Sequence, residues 1–429
     1  MTRLFGFLGT IVVALLPSQA VPSQLLPLRV SADGDAPISV SVLSLPASLV
    51  EEEEGLRLVR ALAVARPKRS ILVLSDRSAP KDLPVAVRWA RSTAALSAWP
   101  RDPFLFAWRE PQAVLLQRPN AQAGREGDVA MAGEVLRHWP PEWSSRWGTP
   151  TLESSPVAFH AGNLLLDSGN LWVSLHSLEP EILKRLGRST VPVDTFDTTA
   201  GVAAYVRAGE QAATALGEAL SANPRWIHPL PSGVEAPRAM ARIGAGAGVD
   251  LDSYVTFLTD LQVLVASLHE GAAALRDAPP SDFDALATFY ELALRGESLR
   301  ARLLVAGAPA GDPFGAYLDL VAGHLTAQGL RVTRLPLVRI PTSLFLDREG
   351  VDYDEFLLNW NNLVLEPSPG GLRAEGFELA FPSVDRAVER ILEARGVLWT
   401  RLPPLRRSIV LGGGYRCASN HFRPPGAPR

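Results

Sequence analysis

One cysteine, Cys417, occurs in the 429 residues, inside the segment GGGYRCASNHFRPP near the C-terminus. A lone thiol cannot close an internal disulfide, so it is either packed as a small hydrophobe or put to use. Its flanks favour use. The glycines Gly412–Gly414 let backbone approach a ligand closely, and the adjacent Arg416 is a cation of the kind that favours a thiolate. Three further segments set reactive groups beside turn residues. AWPRDPFLFAW (98–108) carries Arg101 and Asp102 before a proline, a pattern that also starts ordinary turns. FHAGNLLLDSGNLWVS (159–174) sets His160 before Ala161, Gly162 and Asn163, and its DSGN reads as a hairpin turn. YVTFLTDLQVLVASLHEG (254–271) holds Asp260 within an apolar strand, where a carboxylate is costly unless paired. A thiolate is a nucleophile and acids or histidines move protons, but these residue types alone do not select a substrate.

The elements that must carry these groups alternate. Strand-length apolar runs occur at ISVSVLSL (38–45), SILVLS (70–75), AVLLQ (113–117), NLLLD (163–167), NLWVSL (170–175), LQVLVASL (261–268), NLVLE (362–366) and SIVLGG (408–413). The last of these is expected to deliver Cys417 from the core. Helical periodicity occupies 56–66, 202–220, 285–307, 314–329 and 383–396, the last with Ser383 as N-cap and Gly396 as C-cap. Alternation of this kind predicts an α/β architecture. Pro/Gly stretches are loop-sized and no repeat stands on periodicity alone, so a single domain is expected.

Arg3 followed by an apolar run over Leu4–Leu16 and a small-residue site ending at Ala20 reads as a secretory signal peptide over 1–20. About 13 apolar residues is too short for a membrane span, and no later segment is long enough. Residues 21–34 read as an N-terminal extension and 35–429 as the domain. The mature protein is therefore expected to be secreted or periplasmic. A net charge of −3, with 47% hydrophobic and 20% charged residues, describes a globular chain and argues against a nucleic-acid partner. The run EEEE (51–54) reads as a solvated helix start, not a metal site.

In order along the chain, these segments resemble the guanidino-group-modifying (pentein) superfamily, with features of peptidylarginine deiminases and agmatine deiminases. YRCASNHFRPP is similar to the V-H-C-G-T-N terminus of the former at Cys417, Ser419 and Asn420, and the glycine triplet to the GGG-x-H-C of the latter. LLNWNNLVLE (357–366) resembles an N-x-x-N-x-L-V-L strand, GLRVTRLPLVRI (329–340) the segment before it, HAGN an E-G-G-N hairpin, and WPRDPF a W-x-R-D motif. The resemblance implies a five-bladed α/β propeller from about residue 35 onward. It also implies hydrolysis of a guanidino group on a small arginine-like molecule or a protein, as in arginine to citrulline plus ammonia. Cys417 falls on the nucleophile, Asp102 on the W-x-R-D aspartate, and Asp260 near the aspartate of an H-x-D motif. Arg101, Asn163, Asn420 and Arg416 are the implied substrate-binding neighbours. No cofactor is implied, and calcium dependence and oligomeric state are left open.

The departures are specific. TFLTDLQ has no histidine for H-x-D, Arg416 stands where the families have histidine, and His160 replaces the acid of E-G-G-N. The G-P-D-F-G-type acidic segment is missing between 120 and 158. Two readings follow: an exported Cys-dependent hydrolase in which His160 (or else His269 or His421) supplies the proton transfer, or a non-catalytic member of the fold that binds a ligand or partner protein in its central cleft. A structural protein of the cell envelope, unrelated to this fold, is a third.

Overall fold

The described residues build five separate sheets, and each contains the same unit: an antiparallel pair whose inner strand is followed by a parallel one. The computed structural model describes residues 28–424, apart from 32, 111, 120–124, 168, 192–194, 245–248, 260, 308–310 and 348–352. The expected signal peptide over 1–20 lies outside the described residues, as does Asp260.

In the first sheet Ser419–Phe422, from the far end of the chain, runs antiparallel to Val40–Ser44. Ser70–Ser75 and Val87–Arg91 then add in parallel. The second sheet is Phe104–Arg109, Gln112–Gln117 and Thr151–Ser154, and the third is Leu165–Asp167, Asn170–Val173 and Asn223–Trp226. Val255–Thr259, Gln262–Ser267, Arg331–Pro341 and Glu355–Asn359 make the fourth. Val364–Ser368, Gly371–Phe377 and Val397–Leu402 make the fifth. A parallel step needs a crossover, and helices such as Glu52–Ala65, Thr199–Leu220 and Pro382–Glu393 supply it. Apolar cores form between these helices and the sheets, the largest holding Leu58, Leu62, Phe283 and Phe381.

Four sequence expectations change. SIVLGG is not a strand: Arg406–Val410 forms a short helix ended by Gly412 at φ +90°, because a short apolar run fits one helical turn as well as a strand. The stretch 254–271 is a hairpin leading into the helix Leu268–Asp277, not one strand. The helix expected over 285–307 is two, Pro280–Tyr290 and Gly296–Ala306, broken by left-handed backbone at Glu291 and Gly296. The helix near 383 is capped by Phe381 rather than Ser383, with Pro382 as its first residue, the position where a missing N–H costs least. The described end of the 21–34 segment packs into the domain: Arg29 bridges Trp108, and Asp33 is bonded to Arg423. No helix among the described residues is long and apolar enough to cross a membrane.

Candidate active site

Cys417 sits in the turn between the Arg406–Val410 helix and the closing strand Ser419–Phe422, and only 3% of it is exposed. The turn is held by Asn362, which lies in the loop between the fourth and fifth sheets. Its Oδ1 accepts from the backbone N–H of Arg416 at 2.7 Å and of Cys417 at 3.2 Å, and its Nδ2 donates to the Cys417 Sγ at 3.1 Å. Gly414 permits this approach, since a Cβ there would stand 2.6 Å from the Asn362 side chain.

The other neighbour of the sulfur is Asp252, with Oδ1 3.7 Å from Sγ. It comes from a single 3₁₀ turn, Leu251–Ser253, at the entrance to the fourth sheet. Asp250, two residues earlier, belongs to the same cluster: ligand atoms of Asp250, Asp252 and Cys417 lie within 4.8 Å of one another. A second group with that spacing is Asp102, His160 and Asp250. His160 Nε2 stands 3.6 Å from Asp102 and its Nδ1 3.4 Å from Asp250. Asn163 fixes the arrangement, donating to Asp250 at 2.6 Å and accepting from the Leu251 N–H at 3.0 Å. The Asp102 Oδ1 and Asp250 Oδ2 atoms converge, 3.0 and 3.1 Å from where a Cβ on Gly162 would stand.

These groups face a cavity of about 530 Å³ whose wall includes Asp102, His160, Asp250, Glu355, Trp99 and Cys417. Arg125 lines it too, donating to Asp102 at 2.6 Å and lying 4.7 Å over the Trp99 ring. Burial pushes the Cys417 thiol well above its ordinary range, and the negative charges of Asp252, Asp102 and Asp250 push the same way. Burial lifts the Asp252 carboxyl to about 7 against the pull of Arg416, and lifts Asp250 against the pull of His160. Asp102 is also raised by burial, but His160 and Arg125 more than offset this and hold it below the usual carboxylate range. The spacing of the two clusters suits a cation. The Arg125 guanidinium already seated on Asp102 weighs against a divalent charge there and leaves the carboxylates better matched to a singly charged, planar donor.

The structure thus brings Cys417, Asp102, His160 and Asn163 together and places Arg101, Asn420 and Arg416 off the cavity wall. Arg101 and Asn420 face a small cavity that Cys417 does not line, and burial beside Arg416 lowers the Arg101 guanidinium to about 10. Asn420 donates to the carbonyls of Pro100 and Phe104. The Arg416 side chain points away from the cavity wall into ion pairs with Asp33 and Asp252. The thiolate expected from its charge is therefore outweighed by burial and three carboxylates. Asp260 lies outside the described residues, and its neighbours Thr259 and Leu261 are exposed rather than buried. Among the described residues the acids beside the sulfur are Asp250 and Asp252, which share the i, i+2 spacing of H-x-D. His269 is exposed on its helix, and His421 is buried against Ser41 and Ser419. Asp250, Asp252, Asn362 and Arg125 were not singled out from the sequence. GVDLDSY, two acids flanking one leucine at the start of an apolar strand, was the available signal.

No protein-family profile and no curated protein matches the chain. Solved structures do. The agmatine deiminase of C. jejuni superposes with a TM-score of 0.57 at 13% identity, over 94% of this chain and 98% of that one. The agmatine deiminase of Enterococcus faecalis gives 0.56 at 10% identity, over 93% and 96%. The chain shares the pentein fold of these enzymes over more than nine-tenths of its length, at low sequence identity.

Proposed function

We propose that this chain is an exported hydrolase that uses Cys417 to cleave a C–N bond of a guanidino group, on a propeller whose five blades are the five sheets. The substrate is an arginine-type guanidine, free or within a peptide, and the products are a ureido compound such as citrulline and ammonia. The observation that carries this reading is the sulfur on the wall of a cavity flanked by Asp102, Asp250 and Glu355. A guanidinium keeps its charge at ordinary pH and presents a planar fork of donors, so carboxylates are what a pocket needs to hold it. Asn362 and the closing turn fix the sulfur on that wall. Attack on the guanidinium carbon forms a C–S bond, loss of ammonia leaves a thiouronium, and water then releases the ureido product. The agmatine deiminases that share the fold support the same class of chemistry.

Ammonia release from arginine, agmatine and an arginyl peptide tests the reading, with Cys417→Ala as control. Release that this variant abolishes is expected; no release from any of the three would remove the proposal.

One observation favours the alternative, a non-catalytic protein that binds a ligand or partner in the same cleft. Asp252 is already engaged by Arg416 at 3.3 Å and by Asn362 at 3.3 Å, and the thiol is held neutral. On that reading Cys417→Ala still binds agmatine and the wild-type protein releases no ammonia.

A further inference from the structure

Two carboxylates stand by the sulfur, and they are not equivalent. Asp252 is fully enclosed, does not line the cavity, and is tied to Arg416 and Asn362. Asp250 lines the cavity, and 30% of its side chain is exposed. It is also the member common to both clusters, so it stands between the sulfur on one side and His160 on the other. His160 belongs to the cluster with Asp102 and Asp250 and not to the one that contains the sulfur.

We propose that Asp250 is the group that moves the protons at this site, taking the Cys417 thiol proton as a guanidinium-bearing ligand enters, and that His160 is a positioning residue behind it. The inference rests on the reading of Cys417 as a nucleophile toward guanidines. Set against the motifs the sequence resembles, the acid–histidine pair has exchanged its members. His160 stands in the acid's place in HAGN, and Asp250 stands in the histidine's place in Asp250-Leu251-Asp252.

The steps balance with one carboxylate. The thiol proton passes to Asp250 as the C–S bond forms. The same proton goes to the departing nitrogen as the C–N bond breaks, releasing ammonia and leaving a cationic thiouronium. Water adds to that carbon and gives a proton to Asp250. The C–S bond then breaks, the sulfur takes that proton back, and the remaining hydroxyl proton passes to solvent, where the ammonia already released takes it up as ammonium. One guanidinium and one water become one ureido product and one ammonium, and Asp250 ends ionised as it began.

Electrostatics agree with this assignment. Burial lifts the Asp250 carboxyl, with Asp102 pushing the same way and His160, Arg125 and His176 opposing. Asp252 and Cys417 face it from the sulfur side. A carboxyl so raised and a thiol stabilised by an arriving cation come closer in proton affinity, the condition for efficient transfer between them.

The test is alkylation of Cys417 by two small probes, cationic chloroacetamidine and neutral iodoacetamide, in wild type, Asp250→Asn and His160→Asn, over about pH 5 to about pH 9. Wild type should react faster with the amidine, and Asp250→Asn should lose at least about tenfold of that preference. His160→Asn should keep most of the preference and shift only the pH midpoint. A wild-type ratio in Asp250→Asn, or a ratio lost only in His160→Asn, overturns the assignment. Asn retains an oxygen to accept from Asn163. Should this variant not fold, Asp250→Glu takes its place, and an unmoved pH midpoint there counts against the proposal. Ammonia release by wild type is scored separately, so a protein that alkylates as expected but releases none sinks the hydrolase reading and leaves the proton assignment standing.

Discussion

At the scale of single residues, the site sets one acid that charge holds ionised, Asp102, beside two that burial lifts, Asp250 and Asp252. The Asp252 carboxyl, pushed up by burial to about 7, binds its proton more tightly in the folded chain than in the unfolded one, where a carboxyl titrates near 4. Between those two values the folded state holds more protons, so stability falls as pH rises across the window and is constant on either side of it. A guanidinium seated by the sulfur has the opposite preference, because it stabilises the ionised acids and expels their protons on binding. Agmatine binding to Cys417→Ala, followed by calorimetry, should therefore tighten as pH rises from about 5 to about 8, and Asp252→Asn should flatten much of that trend. Affinity that is flat or weaker at the higher pH would mean that a cation in the cavity is not coupled to the ionisation of Asp252.

At the scale of elements, the sulfur owes its position to one turn and one loop that meet across the chain. Gly414 lies under the Asn362 side chain, where an added methyl would overlap it. Gly414→Ala should displace Asn362, remove the donor from the sulfur and lower ammonia release by roughly one to two orders of magnitude, while the melting temperature drops by only a few degrees. Full activity in this variant would mean that Asn362 is not needed. The glycine triplet and the cysteine are legible because both are compositional outliers, and the DSGN turn because hairpin chemistry is local, whereas HAGN, which resembles a hairpin, forms a 3₁₀ turn over Ala161–Asn163. Asp250 and Asp252 are not legible: they cap and occupy a single 3₁₀ turn, too short to leave a period, and the approach of Asp252 to Cys417 spans 165 residues of chain. The hairpin of 255–267 reads as one long strand in the sequence because no glycine or proline marks its turn. The short apolar run before the triplet misled for the related reason that four residues fit one helical turn or one strand equally well.

At the scale of the whole molecule, the last described strand closes the first sheet, and this closure both holds the fold and aims the site. Ser419–Phe422 pairs with Val40–Ser44, so the two ends of the domain share one sheet. Phe422 is fully enclosed, with its ring 5.4 Å from Phe106, 5.2 Å from Trp108 and 5.5 Å from Trp139. Replacing such a ring by a methyl group costs about 3–5 kcal/mol. Phe283, which packs against Phe381 in a different core, should cost about the same when truncated and serves as the comparison. Cys417 lies five positions before Phe422 on the same segment, whereas Phe283 sits on a helix that does not line the cavity. Phe422→Ala and Phe283→Ala should thus lose similar stability in denaturant, but only Phe422→Ala should raise the rate at which neutral iodoacetamide reaches the thiol under native conditions, as the closing strand frays. Equal labelling in the two variants, at equal stability, would mean that the sulfur is held by the Asn362 turn alone and that closure of the first sheet does not govern the site.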